Sequence, residues 1–126
     1  MSRFNLFVAL MTCVSLLPMR AAAQPSLIPL PASMQCGEGQ FRFGEKLKVF
    51  VDAYPGDSIA TVFNRFSASL TKVTGIKVSR AKEAKATLRL KLDKTMGAEA
   101  YTLKVTPDAI DITAARPAGF FYALHS

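Results

Sequence analysis

Residues 57–75 read Asp57-Ser58-Ile59-Ala60-Thr61-Val62-Phe63-Asn64-Arg65-Phe66-Ser67-Ala68-Ser69-Leu70-Thr71-Lys72-Val73-Thr74-Gly75. Ile59, Val62, Phe63, Phe66, Leu70 and Val73 recur at three- and four-residue steps, which puts them on one stripe of a helix. Arg65, Ser69 and Lys72 lie off that stripe. Asp57 or Ser58 suits the first turn, where a short polar side chain can accept from free backbone N–H groups. Gly75 suits the residue after the last turn, which favours a left-handed backbone. The spacing therefore predicts a helix over 58–74 with Phe63 and Phe66 in a core. A helix with one apolar stripe needs a second layer to bury it.

The flanking sequence supplies that layer as strands. Before the helix, Leu47, Val49 and Val51 alternate with Lys48, Phe50 and Asp52, the period-two signal of a half-buried strand. Pro55-Gly56 breaks it from the helix. Ser33–Cys36 and Gln40–Phe43 read as two further short strands, joined by a turn at Gly37-Glu38-Gly39, with Phe41 and Phe43 on one face. Pro25, Pro29 and Pro31 make residues 24–31 an extended lead-in. After the helix, Ile76–Ser79 is a short strand and Arg80–Lys85 a charged connector. Ala86, Leu88, Leu90 and Leu92 alternate with Thr87, Arg89, Lys91 and Asp93, a strand with a basic outer face. Tyr101, Leu103 and Val105 repeat the pattern. Pro107-Asp108 turns the chain, and Ile110 and Ile112 return it. Arg116-Pro117-Ala118-Gly119 ends the sheet, and a second helix opens near Phe120. The fold class is α+β: a mostly antiparallel or mixed sheet, with the helix over 58–74 and the helix starting near 120 packed on one face. Ser126 falls less than two turns into that second helix, and the sequence reads as a fragment of a longer chain.

The N-terminus reads as an export signal. Arg3 precedes an apolar, uncharged run from Phe4 to Pro18, and Arg20-Ala21-Ala22-Ala23 ends it in small residues. This pattern predicts cleavage between Ala23 and Gln24, giving a signal peptide at 1–23 and one domain at 24–126. The apolar run is shorter than the roughly 20 residues that span a bilayer, so no permanent membrane anchor is expected. A lipid anchor on Cys13 fits poorly, because bulky Met11 lies close before it and the apolar run continues beyond it. The expected location is exported: periplasm, cell surface or medium. The 126-residue chain has 16 basic and 9 acidic side chains. Loss of Arg3 and Arg20 leaves fourteen against the same nine. Without Cys13, Cys36 is alone, so no internal disulfide forms. It reads as a small buried apolar residue in a strand.

Residues for catalysis are sparse. His125 is the single histidine and has no ligand partners at metal spacing. H-E-x-x-H, C-x-x-C, G-x-S-x-G and P-loop patterns do not occur. Turn formation explains Asp108, and alternation puts Asp111 on the outer sheet face. Asp52 and Asp57 flank the Pro55-Gly56 break, where capping or solvation accounts for them. No catalytic, cofactor-binding or metal-ligating residue is assigned, and no cofactor is expected. Lys72, Lys77, Arg80, Lys82, Lys85, Arg89, Lys91 and Lys94 face only Glu83 and Asp93 across that stretch. Aromatics that would suit nucleic acid are missing between Gly75 and Lys94. This basic run reads as a solvated sheet face, or one that meets an acidic surface, with no nucleic-acid partner.

Several stretches carry a resemblance to a known family. Leu27-Ile28-Pro29-Leu30-Pro31 and Gly39-Gln40-Phe41 resemble, in style, the start of the N-terminal domain of bacterial β-N-acetylhexosaminidases of glycoside hydrolase family 20. Glu99-Ala100-Tyr101-Thr102-Leu103-Lys104-Val105 resembles that domain's E-x-Y-x-L-x-V strand. Ile110-Asp111-Ile112-Thr113-Ala114 is similar to its next strand, and Gly119-Phe120-Phe121-Tyr122-Ala123-Leu124 to its G-x-x-Y-A helix start. The resemblance implies a non-catalytic α+β domain whose partner is a catalytic barrel in the same polypeptide. It implies that the whole protein removes terminal β-linked N-acetylhexosamine by a retaining mechanism. In that mechanism the substrate's acetamido group attacks the anomeric carbon, a Glu is the general acid and an Asp steers the acetamide. Those residues belong to the barrel, and nothing in this sequence matches them. Related domains also precede the barrels of O-GlcNAc hydrolases and α-glucuronidases. A free-standing exported binding or scaffold module is the other reading.

Overall fold

The computed structural model describes residue 27, residues 30–53 and residues 55–126. The predicted signal peptide and the Ala23–Gln24 cleavage position lie outside the described residues.

Among the described residues, five strands and two helices follow the lead-in: β1 (Lys46–Val51), α1 (Ser58–Thr74), β2 (Lys77–Arg80), β3 (Leu88–Leu92), β4 (Tyr101–Val105), β5 (Ile110–Ala114) and α2 (Pro117–His125). One sheet has the order β2-β1-β3-β5-β4. It is mixed. β1 pairs in parallel with both β2 and β3, and β3 pairs in parallel with β5. Only β4 and β5 are antiparallel, joined through the turn at Pro107-Asp108. The parallel β1–β2 pair needs a crossover, and α1 supplies it.

Alternation sorts each strand's side chains onto two faces. Leu47, Val49, Leu88, Leu90, Ile112 and Ala114 are buried, and they meet Ile59 and Phe63 of α1 and Phe120 and Ala123 of α2. Full burial of each large side chain there contributes about 1.5–3 kcal/mol. The Arg80 guanidinium lies over the Phe63 ring, 5.2 Å from its centroid. The predicted stripe of α1 holds from Ile59 to Leu70. Val73 departs from it and is 81% exposed. The whole last turn, Thr71–Thr74, is exposed, so the stripe outruns the layer it packs on. Gly75 closes α1 in the left-handed conformation, its N–H bonded to the Thr71 carbonyl at 2.9 Å.

Three expectations differ from the structure. Ser33–Cys36 and Gln40–Phe43 form no strands. Both sides of β1 are taken by β2 and β3, so no preceding hairpin can join it there. Gly39 does adopt a positive φ of 96°, but as part of a packed approach. A Cβ at Gly39 would lie 2.9 Å from Pro107 Cγ. Cys36 is consequently exposed, not a buried strand residue. Finally, α2 begins at Pro117, three residues before Phe120. Proline is pre-set for a helix's first turn, where its missing N–H costs nothing.

Candidate functional site

Two surfaces lie on opposite sides of this sheet, and neither is a catalytic cluster. The first is the outer face, away from the helices. Lys46, Lys48 and Phe50 of β1 point there, with Lys77 and Ser79 of β2, Arg89 and Lys91 of β3, Asp111 and Thr113 of β5, and Thr102 and Lys104 of β4. Arg89 stands opposite Asp111 in the register. Its Nη2 donates to Oδ2 at 3.1 Å, and its Nε lies 2.6 Å from Oδ1, off the hydrogen-bond axis. That Nε and that Oδ1 are shielded from solvent and have no other partner. Lys91 Nζ reaches Glu83 at 2.8 Å. Glu83 belongs to the single turn at Glu83–Lys85 that carries the chain from β2 to β3, so this turn lies over the outer face.

The remaining lysines there are unpaired. Among the described residues, Lys46, Lys48, Lys77 and Lys104 have no carboxylate within ion-pair distance, and all four are exposed. Lys46 and Lys77 are direct register partners on adjacent strands. Like charges placed opposite each other repel and weaken the pairing. At the same end of β1 and β2, a shallow groove of about 540 Å³ is lined by Phe43, Gly44, Glu45, Lys46, Thr74, Gly75, Ile76 and Lys77.

The second surface is the free side of α2. Gly119, Phe120 and Ala123 are buried against the sheet, which leaves Phe121 and Tyr122 47% and 36% exposed. The Phe121 ring meets Tyr122 edge-on at 5.7 Å and lies 4.3 Å from the His125 ring. His125 Nδ1 is 2.7 Å from the Phe121 carbonyl. Ser126 Oγ donates to the Tyr122 carbonyl at 2.9 Å, which leaves it to accept from Tyr101 at 2.7 Å. This bond ties the end of α2 to β4.

The carboxylates are dispersed. Asp52 ends β1, where Oδ1 accepts from Ala53 N–H and Oδ2 from Leu92 N–H, linking β1 to β3. Asp57 occupies the N-cap position of α1 without a side-chain cap bond, at a φ of 51°. Asp108 is exposed in the β4–β5 turn. Asp93 accepts from the Thr95 hydroxyl and from the Thr95 N–H at 2.9 Å. These two bonds hold its carboxyl below the ordinary aspartate range. Among the described residues no three metal-ligating side chains come together, and no helix is long and apolar enough to cross a membrane. The groups that do converge supply charge and apolar contact area, the material of recognition surfaces. Alternation in the sequence found the outer face. The Lys46–Lys77 and Arg89–Asp111 partners were not legible, because they depend on strand order.

The fold has known counterparts. The sequence matches glycosyl hydrolase family 20, domain 2, over residues 24–126. It is 26% identical over 106 residues to a β-hexosaminidase of Vibrio vulnificus, covering 83% of this chain and 12% of that protein. The structure resembles the N-acetyl-β-hexosaminidase of Streptomyces plicatus with a TM-score of 0.68 and 27% identity, over 78% of this chain and 19% of that one. The β-N-acetylhexosaminidase of Bacteroides fragilis gives a TM-score of 0.62 and 28% identity, again over 78% and 19%. This chain thus spans less than a fifth of the length of these relatives. A match running from Gln24 through Ser126, together with the likeness of the fold to solved hexosaminidases, means that the chain belongs to glycosyl hydrolase family 20 as its domain 2.

Proposed function

We propose that residues 24–126 are the non-catalytic N-terminal domain of an exported β-N-acetylhexosaminidase, preceded by a signal peptide at 1–23. The family match carries this reading: it covers 24–126 and starts at the residue where the export signal is expected to be cut. The relatives are hexosaminidases several times longer than this chain. The catalytic barrel of the same polypeptide is the partner, and glycan is met through that barrel. The exposed aromatic side of α2, with Phe121 and Tyr122, supplies an apolar surface for it. In this reading the domain acts as a support, while hydrolysis of terminal β-linked N-acetylhexosamine belongs to the rest of the protein.

Two measurements test it. Mass spectrometry of the protein recovered outside the cytoplasm should give Gln24 as the first residue. A chromogenic N-acetylglucosaminide should stay uncut by purified residues 24–126 and be cut by the product of the gene read on past the Ser126 codon. Turnover by residues 24–126 above a mock preparation would sink the support role. An exported form that retains residues 1–23 would sink the signal peptide.

A further inference from the structure

We propose that the outer face of the sheet is a docking surface for an anionic phospholipid bilayer, held there by Lys46, Lys48, Lys77 and Lys104. This inference does not rest on the hexosaminidase reading, because it uses the face opposite the helices.

The argument starts from a cost. The register sets Lys46 directly opposite Lys77, and among the described residues neither has a carboxylate partner. The sheet would be more stable with one of them neutral or acidic. Elsewhere on the same face the fold does neutralise its charges, with Asp111 on Arg89 and Glu83 on Lys91. Among the described residues four lysines make no ion pair, from the β2 edge to the β4 edge, and of these only Lys104 has a carboxylate, Asp111, as its register partner. Strands about 4.8 Å apart make that span on the order of 19 Å. Lys82 and Lys85 flank Glu83 on the turn over this face, and both are exposed.

Geometry then selects the partner. The four lysines stand on one layer, three of them on adjacent β1 and β2 and Lys104 on β4 at the far edge, so a broad anionic surface can meet them together. Lysine offers a point charge without the planar fork of arginine, which suits diffuse attraction better than bidentate recognition of one group. Phe50 is the one aromatic among the outer-face strand residues and is half-buried, so those strands present no exposed platform for stacking sugar rings. Phe43 is 55% exposed and lines the groove at the end of β1 and β2 with Glu45, Lys46, Lys77 and the C-terminal end of α1. An apolar ring beside cations matches a bilayer interface, where the ring enters the headgroup–acyl boundary and the ammonium groups stay with the phosphates. Each lysine near such a surface strengthens binding about fivefold at moderate ionic strength.

The test is co-sedimentation of the chain with vesicles of mixed phosphatidylglycerol and phosphatidylcholine, and with phosphatidylcholine alone. A variant combining Lys46→Gln, Lys48→Gln, Lys77→Gln and Lys104→Gln is run beside it. Residues 1–23 are common to both proteins and cancel in the comparison. The parent should prefer the phosphatidylglycerol vesicles and lose that preference at high salt. The variant, at a thermal midpoint no lower than the parent's, should lose about fivefold per lysine. If the combined variant does not fold, Lys48→Gln and Lys104→Gln singly carry the same test, each with about a fivefold loss. Equal binding of parent and folded variant overturns the proposal. So does the absence of a phosphatidylglycerol preference, or retention on immobilised polygalacturonate that these vesicles fail to displace. That last result would assign the face to an acidic polysaccharide.

Discussion

The two faces of the sheet are built from the same strands, residue by residue in alternation, yet they are held by different forces. On the helix side, Leu47, Val49, Leu88, Leu90, Ile112 and Phe120 are buried with little or no exposed surface. On the outer side, lysines stand in solvent, and among the described residues the ion pairs there are Arg89–Asp111 and Lys91–Glu83. Apolar burial is non-directional and scales with area, so the inner face tolerates little loss of volume. Exposed charge is screened and individually weak, so the outer face can be rewritten at small cost to folding. Stability is concentrated on one side of each strand, and the other side is free to serve recognition.

The largest effect should come from the inner face. Phe120→Ala removes a ring that is wholly buried between α2 and the sheet. A loss of about 3–5 kcal/mol is expected from the missing transfer energy and the cavity left behind. Urea unfolding of the variant should show a midpoint that falls accordingly. A loss below about 1 kcal/mol would mean that α2 does not depend on its packing, and the contrast between the faces would fail.

Gly119→Ala probes the same face by addition instead of removal. A Cβ at Gly119 would lie 2.6 Å from the Ala100 carbonyl oxygen and 2.8 Å from Ala114 Cβ. The first neighbour is backbone and cannot swing away, so α2 must lift from β4 and β5. Strain of this kind costs about 1–3 kcal/mol, although alanine is the better helix former. The same unfolding experiment reads the sign. A variant as stable as the parent would show that the helix can shift outward freely.

Gly119 also marks how much could be read from the amino acids alone. Its place in a G-x-x-Y-A stretch was visible, but its closeness to Ala100 needed the fold. Elements with a sustained period were legible: α1 kept its predicted ends, and β4 began and ended where alternation placed it. The segment 33–43 was not. Two four-residue runs around Gly37-Glu38-Gly39 look like a hairpin locally, and local pattern cannot reveal that β1 is already paired on both sides. Sheet direction was likewise hidden. Alternation is the same in parallel and antiparallel strands, and the three parallel pairings follow from connections. The start of α2 is ambiguous in sequence, because a proline that ends a sheet can equally begin a helix from its first turn, as Pro117 does. For the candidate site, the basic outer face followed from alternation. The Lys46–Lys77 juxtaposition did not, since β1 and β2 are separated by the whole of α1.

The smallest effect should come from the one part of the outer face that resembles an interior. Arg89 and Asp111 keep about a quarter of their side-chain surface exposed, 26% and 25%. Their facing Nε and Oδ1 atoms have no partner beyond each other. Taking away Asp111 therefore strands a largely covered guanidinium, and taking away Arg89 strands a largely covered carboxylate. A double-mutant cycle with Arg89→Leu and Asp111→Leu separates the pair from its surroundings. Partial exposure discounts the attraction for solvent screening, which leaves a coupling energy of about 1 kcal/mol. The double variant should be more stable than the sum of the single losses predicts, because it leaves no charge stranded. A coupling near zero that does not change with salt would mean that water satisfies both groups. The outer face would then be solvated from edge to edge, and the difference between the two sides of the sheet would be sharper than the Arg89–Asp111 contact suggests.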